Sequence, residues 1–301
     1  MCMKLKDPSM NNEKSCCLSN KKIDVNKFKK IQKIIKEHKI NTVCKEAKCP
    51  NCAECWSLGT ATFLILGLIC TRGCRFCAVD TGNPHGRLDL EEPSNCAQAV
   101  KLMGLKHVVI TSVDRDDLID GGAQHYANCV QMIKKNNFNV TVEVLTPDFQ
   151  GNENALSIVL ESGIDVFGHN LETVERVTPI VRDRRANYNT SLKVLSYAKQ
   201  NFPNIFTKSG LMLGLGETEL EVLQTMDDLR KIEVDILTLG QYLQPTPFQF
   251  PVHRHILPDE FNYYRQCGLQ RGFKEVLANV FVRSSYRAKE IMQQIKGCSS
   301  L

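Results

Sequence analysis

The sequence lacks the features of a secreted or membrane-spanning protein. Its longest apolar run, Ala61 to Cys70, is about half the length that a membrane-spanning helix needs. Residues 1–39 are polar throughout, so they contain neither the apolar core nor the small-residue cleavage site of a secretory signal. They also differ from mitochondrial transit peptides, which are rich in arginine and poor in acids. We therefore expect a cytoplasmic protein with no membrane partner.

Arginine is absent from the first 48 residues, although these hold 13 lysines and only five acidic residues. A nucleic-acid surface usually combines basic residues with interleaved aromatic rings, which this segment lacks. We expect no nucleic-acid partner, and we expect residues 1–22 to be a disordered basic arm. Two interpretations of the charge stay open: a solvated face and a docking surface for an acidic protein.

The 301 residues are 43% hydrophobic and 24% charged, which is typical of a globular protein. From residue 61 onward, predicted strands alternate with predicted helices, which indicates βαβ units and a parallel sheet. The predicted strands are 62–68, 107–113, 140–145, 164–169, 207–213 and 235–241, and the helices between them are 94–105, 123–135, 152–162, 190–200 and 218–232. Six units are too few for a closed eight-stranded barrel. We therefore expect an α/β fold, a partial (β/α)6 barrel of the TIM type, over residues 61–257.

Two extensions flank the predicted barrel. Asp24 is a candidate N-cap for a helix that places Phe28, Ile31 and Ile35 on one face. This helix opens an N-terminal extension over residues 23–60. The C-terminal extension, residues 258–301, has a helical pattern that Gly272 interrupts.

Cysteine is the most unusual component, because seven of the 14 cysteines fall between positions 44 and 77. Disulfides are rare in a reducing cytosol, so clustered cysteines there indicate metal or redox chemistry. Cys70, Cys74 and Cys77, the barrel triplet, follow the first predicted strand at the barrel face where active sites collect. Three thiolates are one fewer than a four-iron cluster needs, so one iron is left for a non-protein ligand. Outside this region we expect structural roles for Cys96, Cys129, Cys267 and Cys298.

The barrel triplet, with Phe76 before its last cysteine, resembles the cluster loop of the radical S-adenosylmethionine (radical SAM) superfamily. The resemblance implies a 4Fe–4S cluster whose open iron is chelated by SAM, and cleavage of SAM to methionine and a 5′-deoxyadenosyl radical. His169, Asn170 and Glu172 end a predicted strand on the same face, where a polar run favours a functional role. Asn170 and Glu172 are candidates for binding the ribose or the amino group of SAM. Arg182 is a candidate for pairing with its carboxylate.

A second group of cysteines, Cys44-x4-Cys49-x5-Cys55, is the extension triplet. Together with the motif Arg283-Ser284-Ser285-Tyr286, it resembles the lipoyl synthase family within that superfamily. The resemblance runs from about residue 42 to the C-terminus and includes the stretches 113–123, 167–173, 182–185, 208–217 and 241–245. It implies an auxiliary 4Fe–4S cluster held by the extension triplet, with Ser285 as fourth ligand. Cys52 departs from the family pattern and receives no role.

The activity that this resemblance implies is the insertion of two sulfur atoms into a protein-bound octanoyl group, at C6 and C8. The octanoyl group would be linked to a lysine of a lipoyl carrier domain or of the glycine-cleavage H protein. Two further partners are implied: an electron donor such as ferredoxin or flavodoxin, and an iron–sulfur carrier protein. We expect a monomer.

Four alternatives differ from this resemblance in the residues that they would use. Cys52, Cys55, Cys74 and Cys77 have the spacing of a zinc ribbon. A ferredoxin would instead show C-x2-C-x2-C-x3-C-P, which is absent. A sulfur-inserting enzyme of the biotin-synthase kind would not use the extension triplet, and an iron–sulfur carrier or electron-transfer protein would not cleave SAM.

Overall fold

The computed structural model describes residues 23–58 and 60–298, with side chains up to residue 295, so the predicted arm over residues 1–22 lies outside it. Its strands are β1 (Asn41–Thr42), β2 (Thr62–Ile65), β3 (Ile69–Cys70), β4 (Asp80–Thr81), β5 (His107–Ser112), β6 (Thr141–Leu145), β7 (Val166–Gly168), β8 (Phe206–Leu213), β9 (Ile236–Gln241) and β10 (Glu275–Asn279). Its helices are α1 (Val25–Glu37), α2 (Val43–Glu46), α3 (Cys52–Ser57), α4 (Glu92–Met103), α5 (Ala123–Asn136), α6 (Glu153–Leu160), α7 (Thr178–Val181), α8 (Tyr188–Asn201), α9 (Glu219–Lys231), α10 (Pro258–Gln270) and α11 (Ala288–Cys298), and a 3-10 turn covers Phe149–Gly151.

Eight strands form one open sheet in the order β1-β2-β5-β6-β7-β8-β9-β10. Every neighbouring pair from β2 to β10 is parallel, and helices connect the successive strands. The carboxyl ends of these strands therefore lie along one edge of the sheet, as in a barrel with its active face at that end. This confirms the predicted α/β fold of the partial-barrel kind. Strand β2 is shorter than predicted because Leu66 and Gly67 adopt positive φ angles of 68° and 90°.

The prediction of an all-helical segment after Pro258 is wrong at β10. Helix α10 ends before Gly272, whose φ of 90° turns the chain back. Strand β10 then pairs in parallel with β9, from Glu275 opposite Ile236 to Asn279 opposite Gly240. Glutamate, alanine and asparagine are poor strand formers, so pairing with β9 decides the conformation here, and the local pattern does not reveal it.

The N-terminal extension packs on the first strand of the barrel. Asp24 caps α1 as predicted, because its Oδ1 accepts from the backbone amides of Asn26 and Lys27, both at 3.1 Å. The apolar face of α1 is buried, and Phe28 lies 5.3 Å from Trp56 between ring centres. Strand β1 pairs antiparallel with β2, which places the cysteine-rich segment next to the barrel.

Several polar and cysteine side chains are part of the core. Lys208 lies inside β8 and its Nζ donates to Glu143 Oε1 at 2.7 Å, with both side chains buried. Cys96, Cys129 and Cys267 are also buried, in agreement with a structural role, whereas the side chain of Cys298 lies outside the described part. None of the described helices is both long and apolar enough to cross a membrane.

Candidate functional site

The barrel triplet lies on a loop that leaves the active end of the sheet. Cys70 ends β3, and Cys74 and Cys77 follow within the loop that β4 closes. Backbone amides point at two of the sulfurs: those of Arg72 and Asp114 lie 3.4 Å from Cys70 Sγ, and that of Asp183 lies 3.3 Å from Cys74 Sγ. Burial raises the pKa of the Cys70 and Cys74 thiols to about 11 and about 12, and these donors oppose the shift by favouring the anionic sulfur that binds iron.

Arg72 holds this loop to the neighbouring loops of the barrel. Its buried guanidinium forms two paired contacts, one with Asp116 at 2.8 and 2.9 Å and one with Asp148 at 2.8 and 2.9 Å. Asp114 Oδ1 is a further 3.3 Å from its Nε. Burial alone would raise the pKa of Asp148, but the hydrogen bonds and charge of Arg72 lower it below its usual value. The arginine therefore fixes the cysteine loop to the segments that follow β5 and β6.

Charged groups of both signs surround the barrel triplet. Burial raises the pKa of Asp114 to about 6, although Arg72 opposes the shift, and burial also raises the pKa of Glu172. Both carboxyl groups act on the Cys77 thiol, and Arg182 acts on the Cys74 thiol. The structure thus brings predicted residues Glu172 and Arg182 to the triplet, and it adds Asp114.

His169 has a structural role instead of the predicted functional one. Its Nδ1 contacts the carbonyl oxygen of Thr146 and its Nε2 contacts Ser191 Oγ, both at 2.9 Å. Burial lowers its pKa to about 4, so the ring is neutral at physiological pH. Arg182 shares this network, because its Nη1 donates to the same Ser191 oxygen at 2.9 Å. The adjacent Asn170 does reach the site, where its Nδ2 donates to Ser284 Oγ at 2.6 Å.

The extension triplet lies on two short helices and the turn between them. Cys44 lies in α2 and Cys55 in α3, and the chain turns between them because the Cys49 amide donates to the Cys44 carbonyl at 3.1 Å. Cys52 opens α3 and joins this group. Burial, together with the charges of Cys44 and Cys49, raises the pKa of both Cys52 and Cys55 to about 12. Cys52 therefore lies near the predicted thiols, close enough for the charges of Cys44 and Cys49 to act on it.

The C-terminal serine motif contacts this cysteine segment from about 230 residues away. Asn51 Nδ2 donates to the carbonyl of Phe281 at 2.6 Å, and the Tyr286 hydroxyl donates to Glu54 Oε1 at 3.3 Å. Ser285 itself meets β2, where Thr62 Oγ1 donates to its Oγ at 2.7 Å. Helix α11 begins only at Ala288, so Ser285 is not its N-cap.

Gly240 allows this approach. A Cβ at that position would lie 2.0 Å from the carbonyl oxygen of Val282, which is far inside van der Waals contact. The missing side chain lets the segment that carries the serine motif run directly over the end of β9. Arg283 is half-buried there, and its charge acts on the Cys49 thiol.

The cysteines separate into two groups. The charges of Cys44 and Cys49 shift the pKa values of Cys52 and Cys55. The pKa of Cys74 is shifted instead by Asp114, Arg182 and Cys77. A zinc site made of Cys52, Cys55, Cys74 and Cys77 would need all four in one group. Among the described residues, no three cysteine, histidine or acidic side chains converge closely enough to hold a single metal ion.

Some contacts of the site were not foreseen from the sequence. The loop after β9 reaches the barrel triplet, where Gln249 Nε2 donates to the Cys77 carbonyl at 3.2 Å and the Phe250 amide donates to the Arg75 carbonyl at 2.7 Å. Asp148 was also missed. Its partners around Arg72 had a signal in the sequence, because Asp114 and Asp116 belong to the acidic stretch after β5 that resembles the family.

The fold and the cysteine loop define the class of the protein. The profile of the Radical SAM superfamily matches residues 64–229. Two solved structures share the fold at 14% sequence identity: methylornithine synthase (PylB), with a TM-score of 0.54 over 78% of this chain and 81% of that one, and the FeFe-hydrogenase maturase HydG from Carboxydothermus hydrogenoformans, with a TM-score of 0.59 over 77% of this chain and 56% of that one. The chain is thus a radical SAM protein.

Sequence relatives narrow the class to one family. The chain is 58% identical over 266 residues to the lipoyl synthase of Halorhodospira halophila, which covers 88% of this chain and 80% of that one. It is 56% identical over 270 residues to the lipoyl synthase of Deinococcus radiodurans, with 90% and 82% covered. The chain belongs to the lipoyl synthase family, whose members are radical SAM sulfurtransferases.

Proposed function

We propose that this protein inserts sulfur at C6 and C8 of an octanoyl group linked to a lysine of a lipoyl carrier domain or of the glycine-cleavage H protein. The contact between the two ends of the chain carries the proposal. Asn51 and Glu54 of the cysteine segment bind the backbone of Phe281 and the hydroxyl of Tyr286. Next to Tyr286 in the C-terminal motif, Ser284 accepts a hydrogen bond from Asn170, which also bonds Glu172 beside the barrel triplet. One strip of chain therefore links both groups of cysteines.

We assign the barrel triplet to a SAM-binding 4Fe–4S cluster and the extension triplet with Ser285 to an auxiliary 4Fe–4S cluster. The donor set fits, because each predicted triplet supplies three thiols and a cluster needs four ligands. Ser285 supplies the missing oxygen at the second group, and the hydroxyl of Thr62 that donates to it stabilises negative charge on that oxygen. When bound, SAM and the clusters supply the hydrogen-abstracting radical and the sulfide.

The protein's own residues bind and orient these groups. SAM carries an ammonium and a carboxylate, and the triplet is flanked by Glu172 and Arg182, which have the complementary charges. Arg182 Nη1 donates to Ser191, so Nε and Nη2 would form the paired contact with the carboxylate of SAM. Asn170 and Phe76 complete the proposed SAM contacts.

The remaining partners are proposed on the same basis. A ferredoxin or flavodoxin would supply electrons, and an iron–sulfur carrier would restore the auxiliary cluster after turnover. The proposal includes a monomer that works in the cytoplasm.

Two triple variants test this function with an octanoyl-lysine peptide under anaerobic conditions. Replacement of Cys70, Cys74 and Cys77 by alanine should abolish 5′-deoxyadenosine formation, because the SAM site is lost. Replacement of Cys44, Cys49 and Cys55 by alanine should retain 5′-deoxyadenosine formation but yield no lipoyl product. Each variant should keep about four irons of an initial eight or so. Lipoyl product from the second variant would favour an enzyme of the biotin-synthase kind, and loss of all iron from either variant would indicate one shared site.

A further inference from the structure

A lysine-rich groove runs along the N-terminal extension. It encloses about 610 Å³, and we call it the basic groove. Its lining residues are Lys29, Gln32, Lys33, Ile35, Lys36, Lys39, Ile40, Asn41 and Lys45. All five lysines are exposed, and none of these nine residues is acidic.

The groove follows directly from the pattern of α1. Ile31, Ile34 and Ile35 are buried against the barrel. Lys29, Lys33 and Lys36 are spaced by four and three residues, so they form one stripe on the solvent side of the helix. Two buried isoleucines, Ile35 and Ile40, form its apolar floor. Glu37 lies 3.7 Å from Lys33 at the edge of this stripe, but the lining itself is basic over an apolar floor, which favours a partner of opposite charge.

The basic groove adjoins the extension triplet. Lys45 lines the groove and directly follows Cys44 in α2. Its Nζ lies 5.6 Å from the ring centre of Trp56, the residue after Cys55. A protein that docks in the groove would therefore be next to the proposed source of sulfur.

We propose that the basic groove is the docking surface for an acidic face of the octanoylated carrier protein. This inference rests on the proposed function, because that function requires a protein-borne substrate to approach the auxiliary cluster. An acidic protein fits better than a nucleic acid, since the groove offers neither the arginine forks that pair with phosphate nor aromatic rings for bases. Point-charge lysines suit carboxylates spread over a protein surface.

The test compares two substrates of the reconstituted enzyme: an octanoylated H protein and a short octanoyl-lysine peptide. The variant Lys29→Glu/Lys33→Glu/Lys36→Glu should lower kcat/KM for the H protein by about tenfold or more, the range of electrostatic steering. The peptide carries no folded acidic face that could dock in the groove, so its kcat/KM should stay within about twofold, well below that steering range. The neutral variant with three glutamines should lie between wild type and the glutamate variant. Direct binding of the H protein, measured by fluorescence anisotropy, should weaken in the same order.

Salt and a control variant complete the design. Raising the ionic strength from about 0.1 M to about 1 M shortens the Debye length from about 10 Å to about 3 Å, so wild type should lose most of its advantage over the variant. Lys135→Glu/Lys193→Glu/Lys231→Glu carries the same charge change on exposed positions of α5, α8 and α9 and should behave like wild type.

Other results would contradict the docking proposal. If the glutamate, glutamine and control variants all had the kcat/KM and Kd of wild type for the H protein, this surface would be excluded. Loss of RNA binding by the glutamate variant, with H-protein turnover unchanged, would assign the groove to nucleic acid. An effect seen only with flavodoxin as reductant, and not with dithionite, would assign it to the electron donor. Failure of wild type to convert even the peptide would refute the proposed function, which is a separate outcome.

Discussion

Arg72→Met should loosen the loop of the barrel triplet and destabilise the protein. The change removes Arg72 from the carboxylates of Asp148 and Asp116, whose side chains are 0% and 13% exposed, and only Asp116 keeps a second arginine, Arg185 at 3.3 Å. Removing one partner of a buried ion pair costs about 3–5 kcal/mol. Some donors remain, because the Gln150 amide still binds Asp148 at 2.9 Å and Thr71 Oγ1 still binds Asp116 at 2.8 Å. We therefore expect a loss of about 3 kcal/mol, at the lower end of that range.

Urea unfolding of the iron-free protein measures this loss as a lower midpoint at unchanged slope. Arg72→Lys keeps the charge but not the two paired contacts, so it should lose part of the same stability. The matched control is Arg271→Met, because Arg271 pairs with Asp227 at a site that is half exposed, and it should lose less than about 1 kcal/mol. A variant Arg72→Met within about 1 kcal/mol of wild type, with full iron content, would refute the anchoring role.

The difference in stability between wild type and Arg72→Met should also depend on pH. Arg72 lowers the pKa of Asp116 and Asp148 in the folded state, although burial opposes it. A depressed folded pKa gives stability that is present above the unfolded value, about 3.9, and is lost as pH falls through the folded value. The gap between wild type and Arg72→Met should thus be full near neutral pH and shrink below about pH 4.

Three further predictions concern other parts of the fold. Ser285→Ala should lower the iron content of the auxiliary site, whereas Thr62→Val, which only removes the hydrogen bond to Ser285, should keep it; equal iron content in both variants would argue against a ligand role. Lys208→Met leaves the buried Glu143 without its lysine, although His107 Nε2 stays 3.6 Å away, and should cost about 3 kcal/mol in urea unfolding, while Lys193→Met on the exposed face of α8 should change little; equal midpoints would contradict the buried pair. Gly240→Ala should displace the serine motif and reduce auxiliary iron without affecting SAM cleavage, and an unchanged iron count and product yield would show that the close approach to Val282 is not needed.

The central strands were predictable because each is a buried apolar run followed by a helical pattern. Strand β10 was not, because its residues Glu275 to Asn279 become a strand only by pairing with β9. The cysteines and Ser285 were predicted as ligands from spacing and motif, which are local features of the sequence. The bonds of Arg72 to Asp148 and of Asn51 to Phe281 join positions 76 and 230 residues apart, and no local pattern encodes them.

The central claim is that the cysteines of the N-terminal extension and Ser285 hold the sulfur that enters the product. A single measurement tests it directly. The protein is reconstituted with sulfide enriched in a heavy sulfur isotope, and it then turns over once on an octanoyl-lysine peptide. The mass of the product is determined by mass spectrometry. We expect both sulfur atoms of the lipoyl product to be heavy. The Cys44→Ala/Cys49→Ala/Cys55→Ala variant, reconstituted in the same way, should form no lipoyl product. A product with light sulfur, or a heavy product from that variant, would contradict the account.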